Sequence, residues 1–322
     1  MVQHSGRVTL LGIEAFVTTS EEGSVSAAAR RLKLSPSAVS QQITTLESAL
    51  GAVLIDRSAR PASLTPAGQI FRRRAAIILN ETQQARSELA AQDLAALTDF
   101  RLGMIEDFDA DVTPRLLSDM ADELKSCQFL LETGASHHLH GQLSARTLDV
   151  IVAAELSDIS EGMEVHPLLQ EPFIVAAPRG AVESGRDALE QLQALPMIQY
   201  TLRHQMGRQI ARHLARQNLN LTHRFELDSY HAILSMVATG VGWTILTPLG
   251  HARAHRFHDH VDLLPLPCAP LDRQISLSAR QGVLQDMPAQ VAGRLRPLLQ
   301  EMVVDPAKAR MPWLGDALKV LG

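Results

Sequence analysis

A small all-helical N-terminal domain, one long helix and a larger α/β body is the architecture that this 322-residue sequence predicts. Three observations lead to it. Residues 23–51 hold two helix-sized apolar stripes separated by a two-residue turn. From Pro66 to about residue 96 a helical pattern runs with no further Pro and with Gly68 as its last Gly. From Phe100 onward, short apolar runs alternate with helix-length segments, which implies an α/β fold with largely parallel sheets. The length suits two or three folding units.

Taken in order, residues 8–19 read as a first helix, with Ile13, Phe16 and Val17 available for a core. Ser24 is placed to cap a second helix, because its hydroxyl can accept an orphan backbone N–H of the first turn. Val25, Ala28, Ala29 and Leu32 then share one face. Lys33 and Leu34 form a short turn. Ser35 is a second N-cap, and Pro36 takes the first helical position, where its missing N–H costs nothing. Val39, Ile43, Leu46 and Leu50 make the apolar stripe of that helix, while Ser37, Ser40, Gln41, Thr44 and Thr45 make its opposite face. That face is polar, small and uncharged at its N-terminal end, as a helix needs if it is to enter a major groove and touch base edges. Gly51 closes the helix. The irregular stretch 52–64, with Pro61, suits a wing, so the head reads as a winged helix-turn-helix. The helix from Pro66 carries Ile70, Ile77, Leu89 and Leu97 on or near a drifting apolar stripe and is too long to be stable without a partner.

These residues closely resemble the DNA-binding domain of the LysR-type transcriptional regulators. The match is ordered: Phe16, Gly23-Ser24, Ala28-Ala29, Leu32, Ser40, Ile43, Leu46-Glu47, Leu50-Gly51, Leu54, Arg57, Leu64-Thr65 and Gly68. Ile55 stands where the family usually has Phe, and Thr19 where an apolar residue is common. The resemblance implies DNA contacts from Ser35, Pro36, Ser37, Ser40 and Gln41 on the reading helix and from Arg57 in the wing. A Gln side chain can bond adenine bidentately, and an Arg suits a narrow minor groove. It also implies that the long helix pairs two subunits, that the partners are double-stranded DNA, a small-molecule effector and RNA polymerase, and that the chain works as a homodimer or homotetramer in the cytoplasm.

The body reads as strands at residues 102–105, 150–154, 173–177, 197–200, 243–246 and 275–279, with helices at 113–123, 207–217 and 229–239. The resemblance continues more loosely through residues 146–154 and 242–248. It implies a two-lobed body resembling periplasmic binding proteins, crossed twice by the chain, with a ligand cleft at the hinge. The expected domains are a winged helix-turn-helix at 1–65, a linker and dimerisation helix at 66–96, and an effector-binding body at 97–300. Within the body, lobe one is 97–168 plus 272–300 and lobe two is 169–271. A tail at 301–322 carries Trp313, Leu314, Leu318 and Leu321 at near-helical spacing. Open α/β sheets bind ligands beyond the carboxyl ends of their strands. The ligand-binding residues expected there are Asp107, Ser136, Thr201, Arg203, His204 and Asp228, with Ser136 at a family position that often bonds the ligand and Arg203 able to grip a carboxylate as a fork. Asp107 on the facing loop argues against a ligand that is only an anion.

Composition sets the remaining bounds. Residues 1–90 hold ten Lys/Arg against seven Asp/Glu and the remainder holds 20 against 28, so a mildly basic head precedes an acidic body within a net charge of −5. The first residues show no basic segment followed by an apolar core, and no apolar run approaches the roughly 20 residues of a membrane span, so neither a signal peptide nor a membrane is expected. Thirteen histidines include the clusters His137-His138-His140 and His251-His255-His258-His260, and two cysteines, Cys127 and Cys268, stand far apart. A metal- or redox-sensing regulator is therefore the alternative reading, although no metal ligand set is completed and no cofactor is implied. An enzyme is a remote reading, with no catalytic residues assigned, because G-x-S-x-G, P-loop, H-E-x-x-H and dinucleotide fingerprints are all missing.

Overall fold

A computed structural model of the chain describes residues 7–56, 59, 61–90, 99–125, 127–156, 162–219 and 221–322. The chain divides into two compact units, Met1–Leu89 and Ala90–Gly322.

In the first unit, α1 (Leu10–Glu22), α2 (Val25–Leu32) and α3 (Pro36–Leu50) enclose a core of Ile13, Phe16, Ala28, Ala29, Val39, Ile43 and Leu46. Each start is capped as its local chemistry requires: Thr9, Ser24 and Ser35 accept the N–H groups of Gly12, Ala27 and Ala38. Gly51 closes α3 in the left-handed region at φ 67°. A two-strand wing of β1 (Ile55–Asp56) and β2 (Ser63–Leu64) follows. The Glu47 carboxylate holds it by accepting the Leu54 and Ile55 N–H groups at 2.7 and 3.1 Å. Ile55, in place of the expected Phe, is buried, and so is Thr19. α4 (Pro66–Ala90) packs Phe71 and Ala75 against this core. Its Gly68 lies so close to the Leu54 carbonyl that a Cβ would sit 2.0 Å from the oxygen, which bars every side chain. Ile70 and Ile77 remain 61% and 49% exposed, two turns apart on α4. The part of the expected helix beyond residue 90, with Leu97, and the Leu89 side chain lie outside the described residues.

The second unit opens with β3 (Asp99–Ile105), α5 (Val112–Glu123), β4 (Gln128–Gly134), α6 (Ser136–Ser144) and β5 (Val150–Ala154). It continues through β6 (Met163–Pro172), β7 (Ile174–Pro178), α7 (Ala188–Gln193), β8 (Met197–Tyr200), α8 (Gln205–Arg216), β9 (His223–Leu227), α9 (Tyr230–Ala238), β10 (Thr244–Leu246), α10 (Pro248–Arg253) and β11 (Val261–Pro265). It closes with β12 (Asp272–Arg280), α11 (Met287–Leu299), α12 (Asp305–Arg310) and β13 (Lys319–Val320). One sheet has the order β13-β6-β12-β5-β3-β4. A second lobe is built on β10-β7-β11 and β8-β9, joined by a bridge between Met197 and Trp243. All six apolar runs read from the sequence are strands here.

The expectation of largely parallel sheets is corrected. β3 runs parallel to β4 and β5, but β12 is antiparallel to β5 and to β6, and β7 is antiparallel to both its neighbours. β12 carries the chain back from the second lobe, so it enters the first sheet against the direction of β5. The tail is also not one helix. Pro312 and Gly315, with φ 50° and ψ −129°, interrupt it. Met311, Leu314 and Leu318 are buried, and β13 pairs with β6, so the chain end covers a sheet edge. Among the described residues, no helix is long and apolar enough to cross a membrane.

In the second lobe the His251 ring is 2% exposed and stacks on His258, with centroids 3.8 Å apart and planes 14° from parallel. Its Nε2 has no hydrogen-bond partner among the described residues. Burial first, then the neighbouring His258 and Arg310, pushes the imidazole down to about 3. Unfolded, the ring takes up a proton near pH 6.5; folded, it refuses one until about pH 3, so stability falls as pH drops through that window. The slope is about 1.4 kcal/mol per pH unit. Both tryptophans, Trp243 and Trp313, belong to this unit, so denaturant unfolding followed by their fluorescence reads it selectively. Between pH 7 and 5 the wild type is expected to lose about 2 kcal/mol more than His251→Gln. Equal losses in the two proteins would refute the assignment.

Candidate functional site

The reading helix presents what the sequence expects. Along α3, Val39, Ile43 and Leu46 are buried, while Ser35, Pro36, Ser37, Gln41, Thr44 and Thr45 are exposed and Ser40 is half-buried. The Ser35 hydroxyl serves the helix itself, accepting the Ala38 N–H at 3.2 Å and meeting the Ser37 hydroxyl at 3.0 Å. Arg57, expected in the wing, lies outside the described residues.

In the body, a small open cavity lies where β3, β8 and the α6 and α8 starts converge. Ser136 is the first residue of α6 rather than part of a loop, and its oxygen accepts the Ala154 N–H at 3.1 Å. Asp107 follows β3, and His204 precedes α8. These three expected residues border the cavity together with Glu106, His137, Tyr200, Gln205, Met206, Gln209, Tyr230 and Arg273.

Thr201, Arg203 and Asp228 are placed differently and are not among the residues bordering the cavity. Thr201 is buried and donates to the Glu226 carboxylate at 2.6 Å. Arg203 is 81% exposed and pairs with Asp228 at 3.8 Å, so the expected fork faces a carboxylate of its own protein.

The guanidinium at the cavity is instead Arg273, which sequence reasoning missed. It sits at the start of β12, 8% exposed, in register with Glu171 near the end of β6. Its Nε donates to Glu171 Oε1 at 2.6 Å, and one terminal nitrogen donates to Asp107 Oδ2 at 3.0 Å and to the Thr247 hydroxyl at 3.4 Å. Glu171 is fully buried and also accepts the Leu249 N–H at 3.3 Å. Burial pushes the Glu171 carboxyl up, opposed by the adjacent Arg273. The sequence signal for this network was one carboxylate inside the apolar stretch 168–177.

Neither cysteine borders the cavity. Burial, followed by Asp99 and Asp149, pushes the Cys127 thiol up to about 11, and burial also raises Cys268. The Cys268 sulfur lies 3.7 Å from His213 Nε2, a neighbour that their sequence separation concealed. Among the described residues no three His, Cys, Asp or Glu side chains are grouped to hold a metal ion.

Residues 98–294 match the family model described as LysR substrate binding domain, and residues 10–69 match the one described as bacterial regulatory helix-turn-helix protein, lysR family. A Mycobacterium xenopi protein named "Probable hydrogen peroxide-inducible genes activator" is 30% identical over 186 residues, covering 58% of this chain and 98% of its own. The Escherichia coli (strain K12) protein named DNA-binding transcriptional dual regulator OxyR is 24% identical over 272 residues, covering 84% of this chain and 88% of its own. The fold resembles full-length CbnR complexed with its target DNA, with a TM-score of 0.60 at 20% identity over 91% of this chain and 99% of that one. With both halves matched in order and the body alone spanning more than half its length, the chain belongs to the LysR family of DNA-binding transcriptional regulators, a family of switches rather than enzymes.

Proposed function

We propose that this regulator reads an interrupted inverted repeat in double-stranded DNA with two copies of α3, and that a small polar metabolite in the body cavity modulates that binding. The exposed polar face of α3, backed by its buried stripe, carries the first half of the proposal. Gln41 is the residue we assign to a base edge, with Ser37 and Ser40 beside it and Arg57 in the wing. Two heads related by a two-fold axis read two half-sites. The convergence of Ser136, Asp107 and His204 on one cavity supports the second half. Such a ligand must bind one arrangement of the body better than another in order to act. A regulator of this kind works in the cytoplasm, where the DNA is, and would engage RNA polymerase there. A metal- or peroxide-sensing regulator is the second reading, and the names of the relatives favour the peroxide form. The two protonated thiols, both away from the cavity, favour reversible ligand binding instead, because the thiolate is the species that reacts.

Binding-site selection with purified protein tests the head. Gln41→Ala is expected to relax the preference at one base position per half-site, at about 1–3 kcal/mol. An unchanged selected motif would remove Gln41 from base reading.

The homodimer, or a homotetramer built from it, is supported by α4, which leaves Ile70 and Ile77 exposed on one stripe. Ile77→Asp would bury a charge if that stripe is the interface. Light scattering at micromolar concentration is expected to show a lower mass for this variant than for the wild type. An unchanged mass would move the interface elsewhere.

A further inference from the structure

The cavity carries a chemical preference. Four rings run along its wall in sequence: His137, His204, Tyr200 and Tyr230, with successive centroids 5.6, 5.7 and 5.3 Å apart. Two carboxylates, Glu106 and Asp107, stand on the same border. Arg273 offsets only part of this charge: its Nε and one terminal nitrogen are held by Glu171, Asp107 and Thr247, and its other terminal nitrogen meets only the Met206 sulfur at 4.0 Å. One guanidinium thus faces two carboxylates before Glu106 is counted. Asp107 is 7% exposed, and while its Oδ2 bonds Arg273, its Oδ1 is buried with no partner among the described residues. A buried carboxylate oxygen in that state is costly unless a donor reaches it.

We propose that the effector is a small organic cation: its ammonium or comparable N–H donor group meets Asp107 and Glu106 and lies against the faces of Tyr200 and Tyr230. This rests on the reading of the cavity as the effector site and names the class of molecule it takes. Aromatic faces attract cations through the ring quadrupole, and a desolvated carboxylate adds a charge-assisted hydrogen bond. The field inside the cavity has the required sign. Burial raises the Tyr200 hydroxyl first, and the negative charges of Asp107 and Glu106 raise it further against the single opposing Arg273. Burial also lowers the His137 imidazole, which keeps it uncharged near neutral pH and unable to offset the carboxylates. Also on the border, beside His137, the Ser136 oxygen accepts from Ala154, so its own proton is available to an acceptor on the ligand. The favoured molecule therefore bears a cationic nitrogen and, besides it, a hydrogen-bond acceptor.

Thermal melting of the full-length protein separates the classes. The probes are primary amines (putrescine, cadaverine, agmatine), amino acids carrying both groups (4-aminobutyrate, lysine), and dicarboxylates of matched length (succinate, glutarate). An amine-bearing probe is expected to raise the melting temperature, because a ligand of the folded state stabilises it. Its dissociation constant is expected to rise at least about tenfold in Asp107→Asn. Glu106→Gln, at an exposed position where misfolding is not a concern, is expected to weaken the same probe in the same direction. Each variant's melting curve without probe reports whether it folds. Stabilisation by dicarboxylates alone, or no shift from any amine-bearing probe, would overturn the cationic class. In the dicarboxylate case, weakening of that binding in Ser136→Ala would leave the cavity reading standing. A stabilising probe whose affinity is the same in Asp107→Asn and Ser136→Ala would place the ligand outside the cavity and overturn both.

Discussion

The body depends on one buried charge cluster. Arg273, Glu171 and Asp107 are 8%, 0% and 7% exposed, and charges taken that far from water are tolerable only when paired. The cluster joins elements that are remote in sequence: the end of β3 through Asp107, the two long strands β6 and β12 through Glu171 and Arg273, and the start of α10 through Leu249 and Thr247. These are the elements that meet at the boundary between the two lobes. The chain's own electrostatics therefore set both the shape of the boundary and the sign of the cavity beside it. Gly250 shows how tightly α10 is seated there, since a Cβ at that position would lie 2.4 Å from the Tyr230 ring.

The head is built on the opposite principle. Its helices are set by neighbours in sequence: hydroxyl caps three residues ahead, a left-handed Gly51 one residue behind, and a glutamate eight residues from the wing strand it holds. Short-range chemistry of this kind is sufficient to place Gln41 on an exposed face and Ile43 in the core without reference to the body.

That contrast explains what was legible in the sequence. The caps at Ser24 and Ser35, the stop at Gly51 and the stripe from Val39 to Leu46 could all be read locally, and the structure has them. In the body, each apolar run announced a strand, but run length says nothing about direction, so the antiparallel return of β12 was invisible. The site suffered for the same reason. Ser136, Asp107 and His204 border the cavity because they follow strand ends, where cavities form in α/β folds. Arg203 follows a strand end too, yet it points to Asp228 at the surface. Arg273 begins a strand, and only the register that sets it opposite Glu171 reveals it. Its partner's position inside an apolar stretch was the one available hint. The spacing of the tail left its form open, because a near-helical run of Trp and Leu carries the same signal whether it forms a helix or covers a sheet edge.

Denaturant unfolding of Arg273→Met, followed by the fluorescence of Trp243 and Trp313, tests most directly whether this cluster organises the body. The substitution keeps bulk and apolar contact but leaves Glu171 and Asp107 buried without their cation. Removal of one partner from a buried pair is expected to cost the body about 3–5 kcal/mol. A midpoint equal to or above that of the wild type would contradict the account, since it would show that a packed hydrophobic side chain holds the lobe boundary as well as the ion cluster does.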